Sequence, residues 1–253
     1  MFCKIEFIPL LEIEPDESEA QIWSFLCSLE RNGQILKEYS LIKGEHYTAY
    51  VTLPHPDSFD RRYDGVYVRR EREKICEHFD CILLPLGENL SGQPYCECET
   101  HTAIEMQTYD RDIDSVFTCC DCGRPIALYR LPIPAEKQED FSIVQNWQEN
   151  YAAMDLLWMN CLCDRYTGNQ RVKHDSALNK QGRSIAEFMS EKLGCPVYYH
   201  LECDYGKSVQ AEQVGDEQIH ICPGCQTTMK RIRFSADYER DICEACGLSY
   251  DAH

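Results

Sequence analysis

No stretch of about 18 consecutive apolar residues occurs in the 253-residue chain, so no membrane-spanning helix and no membrane partner are expected. Met1-Phe-Cys-Lys has neither the basic nor the apolar region of a secretory signal, which points to a cytoplasmic protein. Positive charge is scarce: 25 Lys and Arg stand against 43 Asp and Glu, for a net charge of −18. The acidity is spread along the chain, and only residues 151–200 escape it. Such a chain repels phosphate backbones at long range and attracts cationic surfaces. There is no Gly-rich phosphate loop, no G-x-S-x-G and no H-E-x-x-H. Together with the lack of any other catalytic constellation, this predicts a non-enzymatic protein. Solenoid repeats and low-complexity segments are also missing.

Cysteine is abundant, with 17 residues clustered in close pairs. In a chain of this length without a signal, such clustering favours metal thiolates in a reducing compartment over disulfides. The clearest group is C-terminal: Cys222-Pro-Gly-Cys225 and Cys243-Glu-Ala-Cys246-Gly247. Two C-x-x-C turns at the tips of facing hairpins can aim four sulfurs at one Zn2+, closing a structural tetrahedral site. Gly224 and Gly247 supply permissive backbone for the turns, and residues 228–234 and 237–242 alternate as two partner strands. So small a module cannot bury a core, and the metal supplies its folding energy.

A second cysteine group comprises Cys96, Cys98, His101, Cys119 and Cys122. Cys119 and Cys122, followed by Gly123, repeat the C-terminal pattern. Cys96-x-Cys98 is tight for two ligands on one turn, and Cys98-x-x-His101 has workable spacing. A second zinc held by Cys119, Cys122 and two of Cys96, Cys98 and His101 is therefore one reading. Buried thiols in a metal-free ribbon, with Cys120 as a spare, are the other.

The remaining patterning predicts an α+β fold in four segments: an α+β domain over 1–92, a cysteine-rich ribbon-like segment over 93–134, two helices and a strand over 141–204, and the ribbon over 219–253. Residues 3–8 alternate as a strand. Ser18, Ser142 and Ser184 each open a capping box before an apolar helical stripe, and strands are expected over 34–42, 47–53, 81–86, 125–132 and 197–202. Turns or polar connections are expected over 87–92, 132–140 and 204–218. The stripe running from Ile143 through Trp147, Tyr151 and Trp158 to Cys161 reads as core. Cys161 and Cys163 read as buried thiols, and His200 beside Cys203 as a core pair rather than a catalytic one.

Residues 54–77 hold the densest positive cluster, including Arg61, Arg62, Arg69 and Arg70, interleaved with Tyr63 and Tyr67. Arg171 and Lys173 lie in the one net-positive region. These residues outline a nucleic-acid groove. The acids Asp57, Asp60, Asp64, Glu71, Glu73 and Glu77 that interrupt the first cluster argue instead for a salt-bridged, solvated face.

From Cys119 onward, an ordered set of motifs carries a family resemblance. It comprises Cys119-x-x-Cys122-Gly123-x-Pro125, Leu128-Tyr129-Arg130-Leu131-Pro132, Trp147-x3-Tyr151-x3-Asp155-x2-Trp158, Gly182-Arg183-x-Ile185, Gly194-x-Pro196-Val197-Tyr198-Tyr199 and the terminal cysteine pairs. The set resembles proteobacterial zinc-ribbon-containing proteins of unknown function that have been suggested to bind nucleic acid. The first 90 residues carry no matching motif. The resemblance implies a zinc ribbon and a nucleic-acid role. In this chain, however, Lys230, Arg231, Arg233 and Arg240 are cancelled by Asp237, Glu239, Asp241 and Glu244, where a duplex binder usually shows a basic stripe. The favoured expectation is thus a zinc-stabilised module that binds a basic protein partner, with immunity-type neutralisation of a cationic toxin as its specific form. Nucleic-acid binding is the alternative.

Overall fold

A computed structural model of the chain describes residues 1–88, 94–108, 115–134, 139–203, 211–214, 217–235 and 238–252. The turn expected over 87–92 and the connections over 132–140 and 204–218 fall partly outside these residues, as does Asp237. The chain is α+β, and its contacts divide it into two units: Met1–Tyr95 with Ala127–Ser142, and Cys96–Ile126 with Ile143–His253. Each unit is built from stretches distant in the chain, and the division passes through the segment read over 93–134, after Tyr95 and after Ile126.

The first unit runs β1 (Phe2–Pro9), α1 (Pro15–Arg31), β2 (Ser40–Lys43), β3 (Tyr47–Thr52), α2 (Val66–His78), β4 (Phe79–Gly87). Its antiparallel sheet has the order β2-β3-β1-β4, the split βαβ arrangement of ferredoxin-like folds. Cys3, Ile5 and Phe7 alternate inward from β1 onto Ile22, Phe25, Leu26 and Leu29 of α1 and Val68 and Ile75 of α2. α1 begins at Pro15, a residue suited to the first helical position; Ser18 lies inside the helix and donates its hydroxyl to the Glu14 carbonyl at 3.1 Å. Helix α2 falls where sequence patterning showed only a polar stretch. Its buried side includes Arg72, whose guanidinium pairs with Asp64 at 2.6 Å, so charge stands where an apolar stripe would be sought. Residues 125–132 form no strand. They contain a 3-10 turn at Leu128–Arg130, and Tyr129 donates to Asp57 at 2.5 Å.

In the second unit a mixed sheet is formed by β5 (Ile104–Met106), β6 (Phe117–Cys119), β7 (Val197–His200), β10 (Lys230–Ser235), β11 (Tyr238–Cys243) and β12 (Leu248–Asp251), in the order β10-β11-β12-β7-β5-β6. β7 is parallel to both β5 and β12. β8 (Ala211–Val214) and β9 (Glu217–His220) make a separate hairpin. Three helices connect β6 to β7: α3 (Ser142–Met159), α4 (Asp164–Val172) and α5 (Ala177–Leu193). α5 starts at an N-cap on Ser176, whose side chain accepts from the Asn179 amide; Ser184 is mid-helix. α4 was not legible because its buried residues are Thr167 and Arg171, neither of them apolar. Trp147 and Tyr151 are core, as expected of the α3 stripe, but its end is not: Leu156, Leu157, Trp158, Met159, Leu162 and Tyr166 are exposed. Cys161 and Cys163, expected to be buried, are exposed at the turn into α4 with φ of 53° and 57°. Among the described residues no helix is long and apolar enough to cross a membrane.

Candidate metal centres

None of the 17 cysteines forms a disulfide. Eight of them gather into two groups of four, and within each group the four sulfurs lie within 4.8 Å of one another. A tetrathiolate zinc site, with Zn–S bonds of about 2.3 Å, needs S···S edges of about 3.8 Å. Both groups can therefore hold one metal ion each.

The first group is Cys96, Cys98, Cys119 and Cys122. Cys119 ends β6 and opens a tight turn in which the Gly123 amide donates to the Cys119 carbonyl at 2.8 Å. The returning chain is tied to the segment before β5, because the Cys96 amide donates to the Pro125 carbonyl at 2.8 Å. That bond presents Cys96 and Cys98 to the turn, and the Cys98 amide donates to the Cys96 sulfur at 3.4 Å. Residues 94–98 belong to no helix or strand, so a separation of two residues does not splay the sulfurs as it would on a helix. The group of four thus contains Cys96 and Cys98, and His101, whose Nδ1 lies 3.3 Å from the Cys119 sulfur, stands outside it. Cys120 is a core thiol packed among Ala103, Tyr198 and Ile242. Burial pushes the Cys96 thiol up to about 12 and raises Cys119 further. At Cys122 burial acts in the same sense but is outweighed by hydrogen bonds from the Arg124 amide and the neighbouring thiols, and its value falls.

The second group is Cys222, Cys225, Cys243 and Cys246. The Cys222 amide donates to the Thr227 carbonyl at 2.8 Å, and the Gln226 amide to the Cys222 carbonyl at 2.9 Å, closing the first turn. Cys243 ends β11, the Cys246 amide donates to its carbonyl at 3.3 Å, and Gly247 at φ +61° turns the chain into β12. Gly224 is required for space: a Cβ there would stand 3.0 Å from the Cys246 sulfur and 3.2 Å from His174 Nε2. Cys225 and Cys243 sulfurs are 3.5 Å apart. Hydrogen bonding to the side chain and backbone of Thr227, then to Cys243, draws Cys225 down to about 6, whereas burial pushes Cys246 up to about 11. Four sulfurs this close become thiolates together only when a cation neutralises them. The two groups lie on either side of β7 in the sheet order, one at the β5–β6 hairpin and one between β11 and β12.

The arginines proposed for a nucleic-acid groove are largely engaged. Arg62 pairs with Asp57 at 2.9 Å, Arg70 with Glu71 at 2.9 Å, Arg69 donates to the Asp64 carbonyl at 3.3 Å, and Arg61 reaches Cys76 at 3.8 Å. These four lie in the first unit, and Arg171 and Lys173 in the second. Lys173 is exposed, but Arg171 is only 6% exposed, paired with Asp155 and Glu202 and stacked under Trp158. A buried, neutralised guanidinium does not offer itself to a phosphate. The pairing of His200 with Cys203 is also corrected: His200 faces Glu105 at 3.4 Å, and the Cys203 sulfur lies 3.9 Å from Nε2 of His220, whose Nδ1 is 2.7 Å from Asp241. Sequence reasoning did not single out Asp121, Glu105, His220 or Asp241 as site residues, whose partners Thr102, Arg240, Asp241 and His220 stand well apart from them in the chain.

Residues 98–202 match the family model described as a domain of unknown function, DUF2310; this span holds three of the four cysteines of the first group and none of the second. The chain is 33% identical over 244 residues to an uncharacterized protein of Haemophilus influenzae, covering 92% of this chain and 90% of that protein. Another uncharacterized Haemophilus influenzae protein is 34% identical over 103 residues, 40% of this chain and 48% of its own length. Among solved structures, the chain is similar at 13% identity to a mutant of SnoaB, a cofactor-independent oxygenase from Streptomyces nogalater. That match covers 36% of this chain and 95% of SnoaB at a TM-score of 0.28. The expectation of a non-enzymatic protein is withdrawn, and a likeness so slight assigns no activity to this chain. Near-full-length identity to the first Haemophilus influenzae protein, together with the match over residues 98–202, places this chain in the DUF2310 family.

Proposed function

We propose that the protein is a zinc protein in which two structural Zn2+ ions brace the sheet of the second unit, and that this unit engages a protein partner of basic character. The observation that carries the reading is the convergence of two complete sets of four sulfurs, each within 4.8 Å. Tetrahedral sets of four thiolates suit zinc, and four protein ligands leave no position for substrate, which makes both ions structural. The zinc-ribbon resemblance of the C-terminal pairs supports the same assignment.

The exposed end of α3 supports the partner. Met159 is 68% and Leu162 56% exposed, with Leu157, Trp158 and Tyr166 alongside. Large apolar side chains exposed this close together in the chain support an interaction site, and the net charge of −18 favours a cationic occupant. Immunity-type neutralisation is one instance of this reading. Nucleic-acid binding is the weaker alternative, given the buried Arg171.

Native mass spectrometry of the protein purified gently from its own cells tests both parts. Bound zinc in both cysteine groups together with a stoichiometric basic protein is expected. A metal-free chain overturns the zinc assignment, and oligonucleotide adducts in place of a protein overturn the partner.

A further inference from the structure

Beside the first cysteine group the chain gathers a different set of ligand types. His101, Cys119 and Asp121 bring an imidazole nitrogen, a sulfur and a carboxylate oxygen within 4.8 Å of one another. Nδ1 of His101 lies 3.3 Å from the Cys119 sulfur, and that sulfur lies 3.8 Å from Oδ2 of Asp121. With metal–sulfur bonds of about 2.3 Å and metal–nitrogen or metal–oxygen bonds of about 2.0–2.2 Å, the N···S and O···S edges of a tetrahedral site are about 3.5 Å. The two measured separations fall on either side of that value. The carboxylate is held in place by Thr102, whose amide donates to Oδ2 at 2.9 Å and whose hydroxyl donates to Oδ1. Each carboxylate oxygen has two lone pairs, so Oδ2 keeps one for an ion, and a ligand carboxylate fixed by outer hydrogen bonds is what metal sites require.

We propose that His101, Cys119 and Asp121 bind an additional divalent cation of the zinc and cobalt class, with the Cys119 thiolate bridging it to the ion of the Cys96, Cys98, Cys119 and Cys122 group. The inference rests on the zinc reading of that group. A Zn2+ bound by four thiolates carries two negative charges in excess, and Asp121 adds a third, so the position beside Cys119 attracts a second cation. Unlike the tetrathiolate sets, this one has three protein ligands. Its fourth position is open to water or a small anion, which makes it exchangeable where its neighbour is closed. The rival arrangement, in which the His101 Nδ1–H donates to the Cys119 sulfur with no ion between them, predicts a different metal count.

The full-length protein is loaded with Co2+, freed of loose ions by gel filtration, and its metal content measured with the visible spectrum. Three ions per chain are expected, falling to two in His101→Gln and in Asp121→Asn with the tetrathiolate charge-transfer bands retained. Azide is expected to shift the ligand-field bands of the wild-type protein and not those of either variant. Two ions in the wild-type protein and no azide response overturn the additional site and leave the zinc reading standing. One ion or none overturns the zinc reading itself. The wild-type count and the azide response decide the matter even where a variant does not fold.

Discussion

Arg240 reaches Glu105 across 135 residues of sequence, its Nε 3.0 Å from Oε1, and so joins β11 to β5 over the two strands between them. Ser249 of β12 donates to the same oxygen at 2.5 Å, Tyr238 donates to Oε2, and His200 of β7 lies 3.4 Å away. Burial alone would raise the Glu105 carboxyl. His200, Arg240 and Ser249 more than offset it and hold the group at about 2. A carboxyl depressed below its ordinary 4.5 stabilises the fold above that pH, and the contribution is lost as pH falls toward about 2. Glu105→Gln should cost about 1–3 kcal/mol at neutral pH, because Arg240 keeps Asp251 at 3.2 Å but loses the buried carboxylate that Tyr238 and Ser249 also bond. It should also flatten the acid limb of the stability profile in that window. Urea unfolding followed across pH in both proteins checks this, and an unchanged acid limb would count against it.

Cys243→Ser should release one zinc ion and melt the turn between β11 and β12 while the Cys96 group keeps its metal. Cys96→Ser should do the converse. Zinc binding in small modules is worth about 10–16 kcal/mol of folding free energy, so each variant should lose cooperative unfolding of the second unit. Zinc analysis with calorimetry reads both effects.

Gly182 sits on α5 where a Cβ would stand 2.9 Å from Trp147 Nε1 and closer still to the Tyr199 ring. Both rings are fully buried, and Trp147 already donates to the Leu178 carbonyl at 3.1 Å, so neither can give way cheaply. Gly182→Ala should therefore destabilise by about 1–3 kcal/mol by overpacking, despite the better helix propensity of alanine. Denaturant midpoints of the two proteins test it.

In the first unit Arg72 meets Asp64 through two hydrogen bonds, at 2.6 and 2.9 Å, and lies over the rings of Phe25 and Phe59 at 5.2 and 4.6 Å. Arg72→Lys keeps the charge but loses the planar fork and the ring stacking. A loss of about 2 kcal/mol is expected, measurable by urea unfolding.

Met159→Ser combined with Leu162→Ser removes exposed apolar side chains that contribute little to the core. Stability should change by less than about 0.5 kcal/mol while retention of the proposed partner is lost. Thermal unfolding and co-purification separate these outcomes.

The C-terminal cysteine pairs, the β10–β11 strands between them, β1 and the apolar faces of α1 and α5 were legible in sequence, because each is set by spacing over a few residues. Helices α2 and α4 were not. Their inward faces carry Arg72 and Arg171, and such residues read as core only once Asp64 and Glu202 are known to neutralise them. The outer end of the α3 stripe failed in the opposite way: periodicity shows that Trp158 and Met159 are apolar but not whether anything covers them.

By itself, the sequence determined that the cysteines come in close pairs able to share an ion, since C-x-x-C spacing constrains two sulfurs wherever the turn is placed. Only the tertiary structure decided that Cys96 and Cys98, rather than His101, complete the first group of four. That choice depends on the amide of Cys96 meeting the carbonyl of Pro125, 29 positions later. Spacing fixes geometry within a turn, whereas the partner of a turn is selected by strand order and by hydrogen bonds between segments that chain distance does not encode.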